Sequence, residues 1–462
     1  MIVLCGEFAI LAAHMMPFQP QRDREALPRW YNAGLWVLLF MGVLVRIADL
    51  QLMEFKGDEF HFLTESFRNP FALASIHAIR SSVPVPHPPA FAYVLALPVS
   101  FTIDPIAIVA VIVFLNLLGL WGLYFLCQRV FDRSIALVTT TLVASLPWAV
   151  VFSRKIWNPD IVFPSTVLLL IALVFLLESY NSNRLLYFTA ALALFSQTHL
   201  LCLLTVPVFL VIALTAGLPI ERRDAVKASL MFFFLHLPYL AYIFSAGMPA
   251  VAGFTGNQLD HGIQLQFFHS NLFWWLRTGS GLGFQFLLGD HGYEELLRTY
   301  ALSWVEIVFR FYLFAAILGA CWCGGRALHI ITEREQGHSG VQARLLCTLI
   351  GAAVYLAMLL TAAHIDGFPH YWVMVIPLLP LCFAIFARYG ERFLLPQWLW
   401  IPRAGVLLIA ATHVAFMIAF FAFVAHHPDR IDGDYGESYV STRQFWQHNL
   451  ERIAGEVSGA AH

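Results

Sequence analysis

Charge is what this 462-residue chain has least of: 12% of its residues are Asp, Glu, Lys or Arg, about half the share of an ordinary soluble domain. A water-soluble globular enzyme is excluded on that ground. A basic surplus is missing too. The 27 Lys and Arg against 29 Asp and Glu leave a net charge of -2, so nucleic acid, which needs clustered cations, is excluded as a partner. Cysteine is sparse: the seven residues form no CxxC pair and most lie in or beside apolar runs, which argues against a disulfide framework or a zinc site. The opening run Met1 to Met16 has no basic n-region and no A-x-A cleavage site; it reads as an interfacial segment or a misplaced start codon rather than a cleaved leader. No internal repeat or low-complexity tract appears.

What is abundant is apolar surface. Hydrophobic residues make up 59% of the chain, with 41 Phe, 13 Trp and 15 Tyr, a composition suited to lipid-facing helices with aromatic belts. A bilayer core about 30 Å thick needs roughly 20 apolar residues per helix. That ruler predicts an all-α polytopic membrane protein with about eleven spans, near 33–52, 105–127, 134–152, 161–178, 185–198, 200–217, 229–246, 301–323, 345–363, 371–388 and 403–425. The shorter stretch 88–101, interrupted by Pro98, reads as a juxtamembrane or re-entrant helix. With that reading, fifteen Lys and Arg fall in one set of short connections and ten in the longer opposite set. The positive-inside rule then puts the N-terminus in the cytoplasm and the C-terminus outside. The expected organisation is an N-terminal cytoplasmic or interfacial segment (1–32), a transmembrane domain (33–425) with outer loops 53–104 and 247–300, and a short outer tail (426–462). The tail, at under 40 residues, is too small to fold alone.

Candidate chemistry gathers on the outer side. Asp58 and Glu59 follow the first span; a carboxylate at the membrane surface can act as a general base or hold a divalent cation, although adjacent acids also suit a solvated helix end. The apolar positions of Phe67 to Ser81 suggest an interfacial helix. Val85-Pro86-His87-Pro88-Pro89 presents one imidazole on a backbone fixed by proline. In Ser153-Arg154-Lys155-Ile156-Trp157-Asn158-Pro159-Asp160, two cations beside a carboxylate run against the positive-inside preference, which suggests pairing or ligand binding. Phosphate is the obvious anion for Arg154 and Lys155, with interfacial snorkelling around Trp157 as the plainer account. His364, Asp366 and His370, with His199, have no metal-ligand spacing. His370 and Tyr371, with Trp372, suit a lipid-phosphate or sugar contact. Arg277 and Arg298 are weaker phosphate candidates, and Glu306 with Arg310 has the spacing of a helical ion pair.

Taken in order, these motifs resemble the C-type (GT-C) glycosyltransferases of the family 39 kind, which include protein O-mannosyltransferases and bacterial aminoarabinose transferases. Asp58-Glu59 matches that family's acidic pair in the first outer loop. His87-Pro88-Pro89 resembles its x-Pro-Pro element, with His where the bacterial lipid A enzymes often have Lys. LVASLPWAVVFSRKIWNPD is similar to its Ser-Arg motif and second acid, and HYWVMVIPLLPLC to its late aromatic, Pro-rich helix. The resemblance covers residues 35–215 well and the rest loosely. It implies a GT-C fold with periplasmic juxtamembrane helices in the inner (plasma) membrane, and an active site on the extracytoplasmic face. It further implies transfer of a hexose or pentose from a polyprenyl-phosphate donor to a glycan, lipid or protein acceptor. In the roles so implied, Asp58 activates the acceptor, Arg154, Lys155 and His87 bind the lipid phosphate, and Glu59 and Asp160 shape the site. No organic cofactor is implied; a divalent cation shared by Asp58 and Asp160 is the one inorganic option.

Two other classes fit parts of the pattern. A transporter or flippase of a polyprenyl-linked lipid would pair Arg46 or Glu178 at midplane around a channel. An O-antigen ligase-like transferase would use Arg and His in place of an acidic base.

Overall fold

In the computed structural model, the described residues are 27–68, 87–244, 265–333, 335 and 337–459. They form helices, with no strand beyond an isolated antiparallel bridge between Glu54 and Ser438. In chain order these are α1 (Arg29–Ile47), α2 (Gly57–Arg68), α3 (Ala90–Val99), α4 (Pro105–Val130), α5 (Arg133–Ser145), α6 (Pro147–Val151), α7 (Val162–Glu178), α8 (Ser182–Ser196) and α9 (Leu200–Leu214). They continue as α10 (Arg222–Tyr242), α11 (Leu265–Ser280), α12 (Gln285–Thr299), α13 (Val305–Thr332), α14 (Gly337–Ala362), α15 (Leu378–Gly390), α16 (Trp400–His426) and α17 (Tyr439–Gly459).

Each of the eleven predicted spans falls on one of these helices or on a broken pair. Six are long and apolar enough to cross a bilayer, or seven if the pair Pro369–Val375 and Leu378–Phe393, bent by 49°, counts as one span. Stretch 88–101 contains the ten-residue α3, with Pro98 inside it, and loop 247–300 carries α11 and α12. The interfacial helix expected over Phe67 to Ser81 lies outside the described residues from 69 onward, as does nearly all of segment 1–32.

Local sequence explains where helices start and break. Asp104 accepts the Ile106 N–H before Pro105, Asp132 accepts the Ile135 N–H, and Asn181 accepts the Arg184 N–H; each satisfies a donor left over at a helix start. Pro147 has no N–H, so the third span breaks into α5 and α6 and frees carbonyls of the preceding turn. Arg46, buried within α1, satisfies them: its guanidinium donates to the carbonyls of Val143 (2.8 Å), Ala144 (3.1 Å) and Ala149 (2.7 Å). Gly42 permits that approach, because a Cβ there would sit 2.9 Å from the Ala144 backbone. Close contact through small residues is how helices pack where lipid offers no hydrophobic drive.

Arg46 is therefore a structural clamp and is not a midplane substrate charge. Glu178 pairs instead with Arg129 at 2.6 Å. The charge pairing that a transporter reading requires is not formed.

The connections sort to two ends of the bundle. One end joins 48–60, 87–89, 153–161, 197–199, 365–371 and 427–439, through contacts such as Lys155 with Glu54, Trp157 with His370, and Ala90 N–H with the Gln197 carbonyl. The other joins 129–133, 178–184, 221–227 and the start of α14, through Arg129 with Glu178, Tyr180 with Asp224, and Gln342 with the Val130 carbonyl. Besides the main apolar core, a second core at the first end gathers Met53, Phe55, Phe62, Leu63, Phe91, Ile108, Ile156 and Tyr439. The tail closes this second core. Phe55 N–H donates to the Glu437 carbonyl, Tyr439 N–H to the Met53 carbonyl and the Tyr435 hydroxyl to the Leu52 carbonyl, while the Phe55 ring packs on Tyr439 and Trp446.

Candidate active site

The first end holds the charged centre of the molecule. Helix α2 begins at Gly57, so successive side chains point about 100° apart around its axis. Asp58 is exposed and Glu59 is fully buried. Glu59 accepts the Lys56 N–H at 2.8 Å through one oxygen and meets Lys155 Nζ at 3.1 Å through the other. Lys155 Nζ also lies 2.8 Å from Glu54, whose carboxylate takes Lys56 Nζ at 2.5 Å as well. Burial alone disfavours the Lys155 ammonium, but Glu54 and Glu59 outweigh it and raise its pKa above the ordinary lysine value. Lys155 is therefore a permanent cation.

Asp160 stands at the start of α7, where a helix N-terminus favours negative charge. One of its carboxylate oxygens accepts the Trp157 N–H at 2.8 Å; the other is buried with no protein hydrogen bond. Its backbone carbonyl is tied to α4 by Asn116 Nδ2 at 2.8 Å. Asn158 is likewise buried with both side-chain polar atoms unpartnered, which is costly unless water or a ligand supplies the bonds.

Three imidazoles extend the centre. Lys155 Nζ lies 4.3 Å from the centroid of the Trp157 ring, and Trp157 meets the His370 ring edge-on at 4.6 Å. His370 contacts Tyr371 at 4.1 Å and lies 6.2 Å from His199, which in turn lies 4.7 Å from His87. His199 caps α9 by accepting the Leu201 N–H at its Nδ1, so in the neutral ring the proton sits on Nε2. Burial pushes His87 down to about 4, and burial, then His87 and His370, push His199 well below the usual histidine range. His87 Nδ1 is itself buried without a protein partner. Both rings are neutral at pH 7, so they act as hydrogen-bonding groups and carry no charge to an anion.

The structure thus brings together Glu59, Lys155, Asp160, His87, His370 and Tyr371 among the expected residues, and places two others apart from them. Arg154 turns toward α1 and α16: its guanidinium donates to the carbonyls of Val45 (2.8 Å) and Asp49 (2.6 Å) and stacks 3.9 Å over the Phe421 ring, with Nε buried and without a protein hydrogen bond. Asp58 does not point into the buried centre, because Glu59 occupies the inward direction of that turn. Elsewhere, Arg277 lies over the Phe273 ring, Glu306 pairs with Arg310 at 2.8 Å, and Asp366 is exposed. Among the described residues, no group of three or more His, Cys, Asp and Glu side chains is arranged to hold a metal ion.

Sequence reasoning missed Glu54 and the structural use of Lys56. The available signal was a carboxylate and a lysine embedded in the apolar run after the first span, LQLMEFKG. A charge there has to be paired if it is buried.

The geometry can be set beside known proteins. A family model described as dolichyl-phosphate-mannose-protein mannosyltransferase matches residues 86–242, which carry His87, Lys155, Asp160 and His199. Among solved structures, ArnT from Cupriavidus metallidurans in the apo state is similar, with a TM-score of 0.52, 15% identity and coverage of 87% of this chain and 78% of that one. The same protein bound to undecaprenyl phosphate has a TM-score of 0.50, also at 15% identity, over 86% and 76% of the two chains. An oligosaccharyltransferase from Archaeoglobus fulgidus aligns over 88% of this chain and 53% of its own, at 14% identity and a TM-score of 0.49. A comparison with curated protein sequences gives no match. The chain is an all-helical, polytopic membrane protein with the fold of the C-type glycosyltransferases, as its sequence motifs implied.

Proposed function

We propose that this protein is a membrane glycosyltransferase that moves a sugar from a polyprenyl-phosphate donor to an acceptor on the extracytoplasmic face, with the N-terminus in the cytoplasm. The observation that carries the reading is the convergence of five separated segments on one end of the bundle: Glu54 and Glu59, His87, Lys155 to Asp160, His199, and His370. The fold shared with ArnT, described with undecaprenyl phosphate bound, and the mannosyltransferase family model over residues 86–242 support the same donor class. A polyprenyl donor is itself a membrane lipid, so its phosphate arrives at the level of the outer loops. Those loops are where this chain concentrates its buried polar groups.

The residues divide the work. A general base has to reach the acceptor and be free to take its proton. Glu59 is saturated by Lys56 N–H and Lys155, whereas Asp58, next to it on α2, is open to solvent. Asp58 is the base that meets an aqueous acceptor. Lys155, paired with Glu54 and Glu59, fixes the acidic centre beside which the donor's phosphate sits. His87 and His370 donate neutral hydrogen bonds, Tyr371 and Trp157 flank the sugar, and Asp160 and Glu59 hold the lysine loop. Arg154 anchors that loop and does not touch the donor.

The test is transfer of label from a synthetic polyprenyl-phosphate sugar in proteoliposomes, with mass spectrometry of the cell envelope naming the acceptor. Asp58→Asn lowers the transfer rate by about 10²–10⁴-fold and leaves donor-lipid binding intact. Full transfer by the folded Asp58→Asn protein removes Asp58 from the mechanism, and a wild type that only flips the lipid removes the enzyme reading.

A further inference from the structure

The sequence leaves one inorganic option open, a divalent cation shared by Asp58 and Asp160. Asp58 is exposed and Asp160 fully buried, so the acids that turn inward together are Glu54, Glu59 and Asp160, at 3%, 0% and 0% exposure. A divalent ion there would need oxygens drawn in to about 2.0–2.6 Å. The space those oxygens face is already taken: Lys155 Nζ sits 2.8 Å from Glu54 and 3.1 Å from Glu59, which is ordinary spacing for an ammonium with carboxylates. Asp160 acts on the same lysine. Lys56 takes a further share of Glu54 from the outer side.

The lysine is also held in place. Its stem leaves a loop fixed on one side by Arg154 to the end of α1 and on the other by the Asp160 turn to α4. Glu54 is fixed by backbone pairing of Met53 and Phe55 with the tail. The backbone that carries each partner cannot shift without breaking several hydrogen bonds.

We propose that Lys155 is the resident cation of this acidic centre, filling the position a divalent ion would otherwise take, so that the centre works on a covalently tethered charge. A doubly charged ion and an ammonium cannot share two carboxylates at these distances. Metal binding and the lysine salt bridges are therefore mutually exclusive. The proposal concerns the same site as the transferase reading, but its test does not depend on transfer.

Mn²⁺ titration of the tag-free, full-length protein in detergent, followed by the EPR signal of free Mn²⁺, separates the outcomes. The wild type takes up no Mn²⁺ that Glu54→Gln abolishes. Lys155→Ala acquires one stoichiometric Mn²⁺, with affinity at least about tenfold above any wild-type uptake, because two buried carboxylates have lost the ammonium they share and only Glu54 keeps a second cation, Lys56. Adding Glu54→Gln to Lys155→Ala abolishes the gained site. Tb³⁺ luminescence excited through Trp157 rises in the same variant. A wild-type Mn²⁺ site that Glu54→Gln removes overturns the proposal, as does a folded Lys155→Ala protein with no gain. Should Lys155→Ala fail to fold, the longer Lys155→Gln is titrated in its place, and the wild-type measurement with its Glu54→Gln control remains decisive alone.

Discussion

The two ends of the bundle group their charges differently. At the end formed by 129–133, 178–184 and 221–227, charges form small separate pairs: Arg129 is 40% exposed opposite Glu178, Lys227 is 44% exposed beside Asp224, and the more sheltered Arg403 meets Glu391 between the end of α15 and the start of α16. At the other end Lys155, Glu54 and Glu59 are almost wholly buried. Exposed pairs are worth about 0–1 kcal/mol each and are screened by salt. Buried charges cost several kcal/mol to desolvate and are kept only where partners and hydrogen bonds compensate. A chain with so few charges that buries a cluster of them together is spending stability there on chemistry. The end around Arg129 and Glu178 serves as a set of caps; the end around Lys155 is built as a site.

That contrast can be broken by mutation. The largest effect on stability is expected from Lys155→Met, which strands buried Glu59 without a counter-charge and leaves Glu54 only Lys56, and lowers stability by about 3–5 kcal/mol in thermal unfolding of the detergent-solubilised protein. A smaller loss would place the centre in contact with water.

Acidification comes next. His87 and His199 have pKa values lowered in the folded protein, so their contribution is present above the unfolded value of about 6.5. It is lost as pH falls through 6.5 toward about 4, the folded value of His87, because protonation then favours the unfolded chain. Unfolding midpoints measured between pH 7.5 and 4.5 should fall, and His87→Gln should flatten part of the slope. An unchanged slope would make His87 solvated.

Tyr435→Phe removes the hydroxyl that donates to the Leu52 carbonyl beside Glu54 and should cost about 1 kcal/mol, with transfer falling more than stability because the strap positions Glu54. At the opposite end, Arg129→Ala should cost no more than about 1 kcal/mol and leave transfer unchanged. If Arg129→Ala matched Lys155→Met, the distinction between the ends would be lost.

How far the sequence went depends on the range of the interaction. Hydrophobic runs marked a helix for every expected span because helix formation in lipid is local: each segment satisfies its own backbone. Pro98 announced a short helix for the same reason, whereas the break at Pro147 lies inside a stretch expected to be one span. The acidic pair, the His-Pro-Pro element and the Lys155 loop were also visible, since charge in an apolar outer loop is conspicuous. The division within each motif was not. Which of Asp58 and Glu59 turns inward depends on the rotation of α2 against α3 and the tail. Which of Arg154 and Lys155 meets the acids depends on where α1 ends and α16 passes. The tail is too short to fold alone, and its strap across Leu52 to Lys56 requires contacts nearly four hundred residues apart, such as Tyr435 with Leu52, which span 383 positions.

By itself, then, the sequence determined a helical membrane protein, the place of its apolar helices and the polar segments that meet at its charged end, because apolar periodicity and the scarcity of charge act within single segments. Only the tertiary structure decided that Lys155 is the cation clasped by Glu54 and Glu59, that Arg154 and Arg46 serve backbone carbonyls, and that His87, His199 and His370 form one neutral array. Those outcomes depend on burial and on distances of about 3 Å between side chains far apart in the chain, which no local pattern encodes.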